Sequence, residues 1–123
     1  MPQIDVVYIE DDEIEAELFG LGLSTRGVNV LHLPDAEPHS LQQLKTTPYS
    51  TARAIFIDFW IGVTSGLDVA KSLREDGDKR PFFLLTAGEN PDPVLLKQLN
   101  ITYLQKPANF NKVASAVAAL ASS

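Results

Sequence analysis

The chain has 123 residues and a mass of 13.5 kDa, enough for one compact core and little more. Hydrophobic residues make up 45% and charged residues 21%, which is globular usage and excludes a disordered chain. Ten Lys and Arg against sixteen Asp and Glu leave a net charge of −6, so no basic surface is available to neutralise a nucleic-acid backbone. There is no cysteine, which removes disulfides, thiolate metal sites and thiol nucleophiles. The N-terminal MPQIDVVYIEDDE turns acidic where a signal peptide needs an apolar stretch, and no run reaches the length of a membrane span. The expectation is a cytoplasmic protein that binds neither nucleic acid nor membrane.

Along the chain the dominant signal is alternation of strand and helix. Asp5 to Ile9 is a short β-branched and aromatic run of the kind that forms a buried parallel strand. From Glu13 to about Thr25, Ile14, Leu18 and Leu21 fall at i, i+4 and i+7 and predict the buried face of a first helix, with Gly27 as its stop. Val28 to Leu33 reads as a second strand. Leu41 and Leu44 suit a short second helix that Pro48 must end, while Pro34 and Pro38 obscure its start. Ala54 to Asp58 is an apolar strand ending in a carboxylate, and a Gly-containing loop leads to Leu67, Ala70 and Leu73 at helical spacing. Residues 82–86 form a fourth strand, followed by a Gly-Glu-Asn-Pro turn and a brief helix from Pro93 to Leu99. Ile101 to Gln105 is the fifth strand. Asn109 is a good N-cap for a last helix with Phe110, Val113, Val117 and Leu120 on one face.

Five strands joined by helical crossovers must lie parallel, with right-handed connections placing helices on both faces. The predicted fold is a doubly wound, five-stranded α/β sandwich. Ligands of such sheets bind beyond the carboxyl ends of the strands, where the strand order reverses. Those ends carry unusual residues here. Strand one ends in Glu10, Asp11 and Asp12, and strand three ends in Asp58. Two unit charges about 4 Å apart repel by roughly 4 kcal/mol at a protein-surface dielectric. A hard divalent cation such as Mg²⁺ offsets that repulsion with oxygen donors alone. Strand four ends in Thr86, followed by the small residues Ala87 and Gly88, which offer a hydroxyl and accessible N–H groups to an anion. Strand five ends in Lys106 before Pro107 and adds an ammonium. Together these groups describe phosphoryl transfer onto an aspartate, in which metal and lysine neutralise developing charge.

In their order and at four successive strand ends, IEDDE, IFID, LLTAG and LQKP make the chain resemble the response-regulator receiver family over essentially its whole length. The resemblance implies the flavodoxin-like receiver fold as a stand-alone domain with no output domain. It makes Asp58 the phosphoacceptor, Asp11 the direct ligand of Mg²⁺ or Mn²⁺, Glu10 its outer-sphere partner, and the Trp60 carbonyl a further ligand. Thr86, the Ala87 N–H and Lys106 would hold the phosphoryl oxygens, and Tyr103 with Thr86 would report the switch. Gly66 matches the glycine that opens the third helix. The implied partners are a histidine kinase or phosphotransfer protein, a downstream protein target, and a second copy through the face of the fourth helix, fifth strand and fifth helix. Such a domain is no ordinary enzyme, although it catalyses its own aspartyl phosphorylation and dephosphorylation.

Two residues depart from the family pattern. Gly62 stands where proline is usual, which predicts a looser loop, and bulky Trp60 stands where the side chain influences water access to the phosphoryl group. These departures keep open a receiver-like module that binds partners without phosphorylation. A phosphatase of the haloacid-dehalogenase type also uses a strand-end aspartate but needs a second Asp two residues later, where Trp60 stands. A flavodoxin-like electron carrier is opposed by Glu10 to Glu13, which would repel an FMN phosphate. Singly, Thr86 is an ordinary strand residue and Lys106 an ordinary surface lysine; only the shared edge gives them a role. His32 and His39 have no partner at metal or triad spacing and receive no role.

Overall fold

A computed structural model describes residues 3–121, with the side chains of residues 3–120. Its five main strands are β1 (Val6–Ile9), β2 (Val30–Leu33), β3 (Ala54–Asp58), β4 (Phe82–Thr86) and β5 (Ile101–Gln105), all parallel in the order β2-β1-β3-β4-β5. The five helices are α1 (Glu13–Ser24), α2 (Pro38–Gln42), α3 (Gly66–Glu75), α4 (Pro93–Leu99) and α5 (Phe110–Ala121). The doubly wound sandwich expected from the alternation is the observed fold. No helix among the described residues is long and apolar enough to cross a membrane.

Strand side chains alternate across the sheet and divide the interior into two cores. Val7, Ile9, Ile55, Ile57, Phe82 and Leu84 face α3, α4 and the short turn Gln43–Lys45 that follows α2, where they meet Val69, Leu73, Leu96 and Leu44. Val6, Tyr8, Ala54, Phe56, Phe83 and Leu85 face α1 and α5, where they meet Phe19, Leu23, Val113 and Val117. Burial on both sides explains why β1, β3 and β4 read as continuous apolar runs.

The buried face of α1 is not the predicted one. Ala16, Phe19 and Leu23 face the sheet, while Ile14, Leu18 and Leu21 are 71%, 61% and 56% exposed. The helix carries apolar residues on two stripes, and the aromatic stripe prevails. Phe19 sits 4.4 Å from the Tyr8 ring and 5.4 Å from the Phe56 ring, centroid to centroid, and a flat ring in an aromatic cluster gains more than an aliphatic side chain on the rim. Gly22 fixes the same rotation, because any Cβ there would strike the Phe110 ring of α5.

Element ends follow local chemistry. Asp12 caps α1 by accepting from the Ile14 and Glu15 N–H groups, Ser65 caps α3, Asp92 caps α4, and Asn109 accepts from Lys112 at the start of α5. Pro38, whose effect on the second helix was ambiguous in sequence, occupies the first position of α2, where its missing N–H costs nothing. The strand predicted from Val28 begins two residues later.

The segment between β3 and α3 corrects another expectation. It is a two-stranded antiparallel ribbon, with Trp60–Ile61 pairing with Thr64–Ser65, and Gly62 turns it at φ +62°. The Gly62 N–H donates to Asp11 Oδ2 at 3.0 Å. A proline could neither adopt that φ nor donate that bond, so glycine fastens this loop where it was expected to loosen it.

Candidate functional site

Sheet register brings the candidate residues together. Ile9 pairs with Ile57, which puts Glu10 level with Asp58 at the ends of β1 and β3. Asp58 pairs with Leu85, and Thr86 with Gln105; the Lys106 N–H then donates to the Thr86 carbonyl at 2.7 Å. Because α1 follows β1 to one side of the sheet and the chain returns through β3 on the other, this edge is the switch point of the fold.

Asp58 is buried, 7% exposed, and its carboxylate is ion-paired with the Lys106 ammonium. Its second oxygen lies 3.4 Å from the Trp60 N–H. Burial raises the Asp58 pKa, against the opposing pull of Lys106. For Lys106, burial favours the neutral amine, but its contacts with Asp58 and Glu15 outweigh that and raise its pKa. Glu10 is almost fully enclosed. Its Oε1 accepts from the Asp12 N–H at 3.1 Å and its Oε2 from the Tyr8 hydroxyl at 3.3 Å. Burial pushes the Glu10 pKa up to about 8; the Asp12 N–H and Lys106 oppose this, while Asp58 and Glu15 add to it. Burial raises the Tyr8 pKa as well, and Glu10, then Asp58 and Glu15, add to it. His32, unassigned in the sequence, holds the backbone here through its ring Nε2 and the Glu10 carbonyl.

Glu15 was missed. From the first turn of α1 it forms an ion pair with Lys106, and one oxygen from each of Glu10, Glu15 and Asp58 lies within 4.8 Å of the others. The available signal was its position: three residues after the Asp12 cap, a glutamate on α1 must lie over the end of β1. Only the packing of α1 against the loop after β5 shows that Lys106 is there to meet it. Glu15 and Lys106 also form the polar wall of an otherwise apolar cleft of about 310 Å³, lined by Leu18, Phe19, Pro107 and Phe110.

The remaining candidates are placed as follows. Asp11 is exposed and lies outside the three-carboxylate cluster, its Oδ2 accepting from Gly62. Trp60 is 48% exposed, edge-on to Phe59, and touches Asp58 through its N–H. The Thr86 side chain is fully buried, and its Oγ1 has no hydrogen-bond partner among the described residues. The Ala87 N–H donates to Glu89 Oε1 at 2.7 Å. Tyr103 is 45% exposed on β5, paired with Leu84. The structure thus joins Glu10, Asp58 and Lys106 directly, adds Glu15, and leaves Asp11 at the rim.

The Glu10 and Asp58 pair fits a hard divalent cation, while Glu15 is held by Lys106. The pair offers carboxylate oxygens, there is no thiolate in the chain, and the His32 ring is committed to a carbonyl. The Thr86 hydroxyl, without a hydrogen-bond partner among the described residues, fits an oxyanion in the same way, since a buried donor left unsatisfied costs free energy that an incoming acceptor would recover.

No protein-family model matches the chain, and no curated protein matches it. Solved structures do. A CheY-like response regulator receiver domain from Methylobacillus flagellatus superposes with a TM-score of 0.79 at 23% identity, covering 96% of this chain and 98% of that one. The receiver domain of the Francisella response regulator 1452 gives 0.79 at 22%, covering 96% of both chains. The Vibrio cholerae chemotaxis protein CheY4 gives 0.76 at 19%, covering 96% of this chain and 98% of that one. The chain has the receiver fold over nearly its whole length.

Proposed function

We propose that the protein accepts a phosphoryl group on Asp58 from a phosphohistidine of a kinase or phosphotransfer protein and signals through a changed affinity for another protein. The observation that carries this reading is the Lys106 ammonium set on the Asp58 carboxylate at the switch-point edge, where the neighbouring strand β4 ends in a buried Thr86 hydroxyl with no hydrogen-bond partner among the described residues. Asp58 supplies the nucleophile. A carboxylate oxygen bonds to phosphorus as the donor's P–N bond breaks, and the imidazole leaves with the electron pair. Lys106 meets the negative charge on the transferred group, and Thr86 Oγ1 gains an acceptor. Glu10 and Asp58, with Asp11 at the rim, would hold Mg²⁺ or Mn²⁺, which when bound supplies positive charge to the phosphoryl oxygens.

The signal follows from differential contact. Thr86 opens the loop between β4 and α4, so a new bond at its hydroxyl favours one arrangement of that loop and of the α4, β5 and α5 face on which Tyr103 is exposed. That face and the cytoplasmic setting belong to the same reading. Intact-mass measurement after acetyl phosphate and Mg²⁺ should show one added phosphoryl group in the wild type and none in Asp58→Asn. Lys106→Ala should keep the fold and lose phosphate-dependent partner binding. A protein that never gains the mass but still binds its partner would instead be a phosphorylation-independent module.

A further inference from the structure

Lys106, which the reading above sets on the phosphoryl oxygens, and the Ala87 N–H, which the sequence offers to the same anion, already carry carboxylates of the protein itself. The Lys106 ammonium is shared between Asp58 and Glu15, and the Ala87 N–H donates to Glu89 at 2.7 Å. Neither carboxylate is occupied by the capping duty its position suggests. Glu15 stands three residues after the Asp12 cap, where a glutamate ordinarily reaches back to the cap's own N–H. That N–H is taken by Glu10 Oε1, so Glu15 is left to turn to Lys106. Glu89 precedes α4, but α4 is capped by Asp92, whose Oδ1 accepts from Val94.

We propose that Glu15 and Glu89 are resident competitors of the phosphoryl group: each holds a donor that a phosphoryl oxygen on Asp58 needs, and each must release it when that group arrives. This rests on Asp58 being the phosphoryl acceptor. The exchange is non-covalent. One carboxylate leaves Lys106 and one leaves Ala87 N–H, and two phosphoryl oxygens take their places, with no change in the number of donors used. The phosphorylated arrangement is then opposed by contacts internal to the chain, and removing a competitor favours it.

The test uses beryllofluoride with Mg²⁺ as a phosphoryl mimic, read by the fluorescence of Trp60, the only tryptophan. Glu15→Gln keeps side-chain length and removes the ion pair with Lys106; Glu89→Gln replaces the charged acceptor of the Ala87 N–H by a neutral, weaker amide oxygen. Each should tighten beryllofluoride binding by about three- to tenfold, the range of a charge-assisted hydrogen bond exchanged for a weaker one. The double variant should show the product of the two gains, because the two acids sit on separate donors. Glu13→Gln makes the same charge change at an exposed position of α1 and should leave the affinity within about twofold of wild type. Equal gains in Glu13→Gln would show bulk charge at work and overturn the proposal, as would unchanged affinity in both Glu15→Gln and Glu89→Gln. Failure of the wild type and every variant to bind beryllofluoride would instead overturn the phosphoryl-site reading itself, and the competitor role with it. Melting temperatures measured alongside confirm that each variant is folded.

Discussion

The Glu10 carboxyl gives the sharpest pH prediction. It is 2% exposed, and burial pushes its pKa from 4.5 to about 8, with the nearby Asp58 and Glu15 adding to the shift. Above pH 4.5 the unfolded chain releases this proton, while the folded protein keeps it until about pH 8. The folded state binds more protons in that interval, so its stability is fully present below pH 4.5 and declines as pH rises to about 8. One proton corresponds to about 1.36 kcal/mol per pH unit, so the loss over the whole interval is at most about 5 kcal/mol. That is a large share of the ~5–15 kcal/mol that holds a domain of this kind together. Glu10→Gln removes the titration and keeps the shape: its amide oxygen accepts from the Asp12 N–H and its amide nitrogen donates to the Tyr8 hydroxyl. Urea unfolding in EDTA, at intervals from pH 5 to pH 8, should give similar stability for the two proteins at pH 5. At pH 8 the Gln variant should be more stable by a few kcal/mol, with m-values unchanged. Parallel stability curves for the two proteins would rule out a raised Glu10 pKa, because they would show that Glu10 ionises freely in the folded state.

Substitutions at three further positions probe the frame of the site. Gly66→Ala places a Cβ well inside contact with the Asp58 carbonyl oxygen and 2.9 Å from Leu84 Cδ1, at the start of α3, so it should cost about 2–4 kcal/mol in denaturant unfolding. Gly62→Pro removes the donor to Asp11 and cannot adopt φ +62°; amide exchange in residues 59–65 should speed up while that of β1 and β4 stays slow. Gly62→Ala keeps the donor and should cost only about 1 kcal/mol. Trp60→Asn exchanges a half-exposed indole beside Asp58 for a small polar side chain, and the hydrolysis rate of the phosphorylated protein should change, as followed by loss of the added mass. An unchanged rate would remove Trp60 from control of phosphoryl lifetime.

The comparison of sequence with structure turns on the range over which each interaction acts. Strand positions were legible because a parallel strand buried on both faces leaves an uninterrupted apolar run, as in AIFID and FFLLT, and the order of the helices followed from the alternation. The meeting of Glu10, Asp58 and Lys106 was legible for the same reason: each lies at a strand end, and parallel register carries all such ends to one edge. Rotation of α1 was not legible. Its apolar residues occupy two stripes, and the choice between them depends on the ring of Tyr8 on the preceding strand and on the rings of Phe56 and Phe110, which are distant in sequence. Nor could the sequence show that Gly62 would bond to Asp11, 51 residues away, and so tighten a loop that its composition marks as loose. Carboxylates carry no address in sequence. Whether Glu15 meets solvent, its own helix or Lys106 is settled by which N–H groups remain unclaimed and by the packing of α1 against the loop after β5, and those are properties of the assembled fold alone.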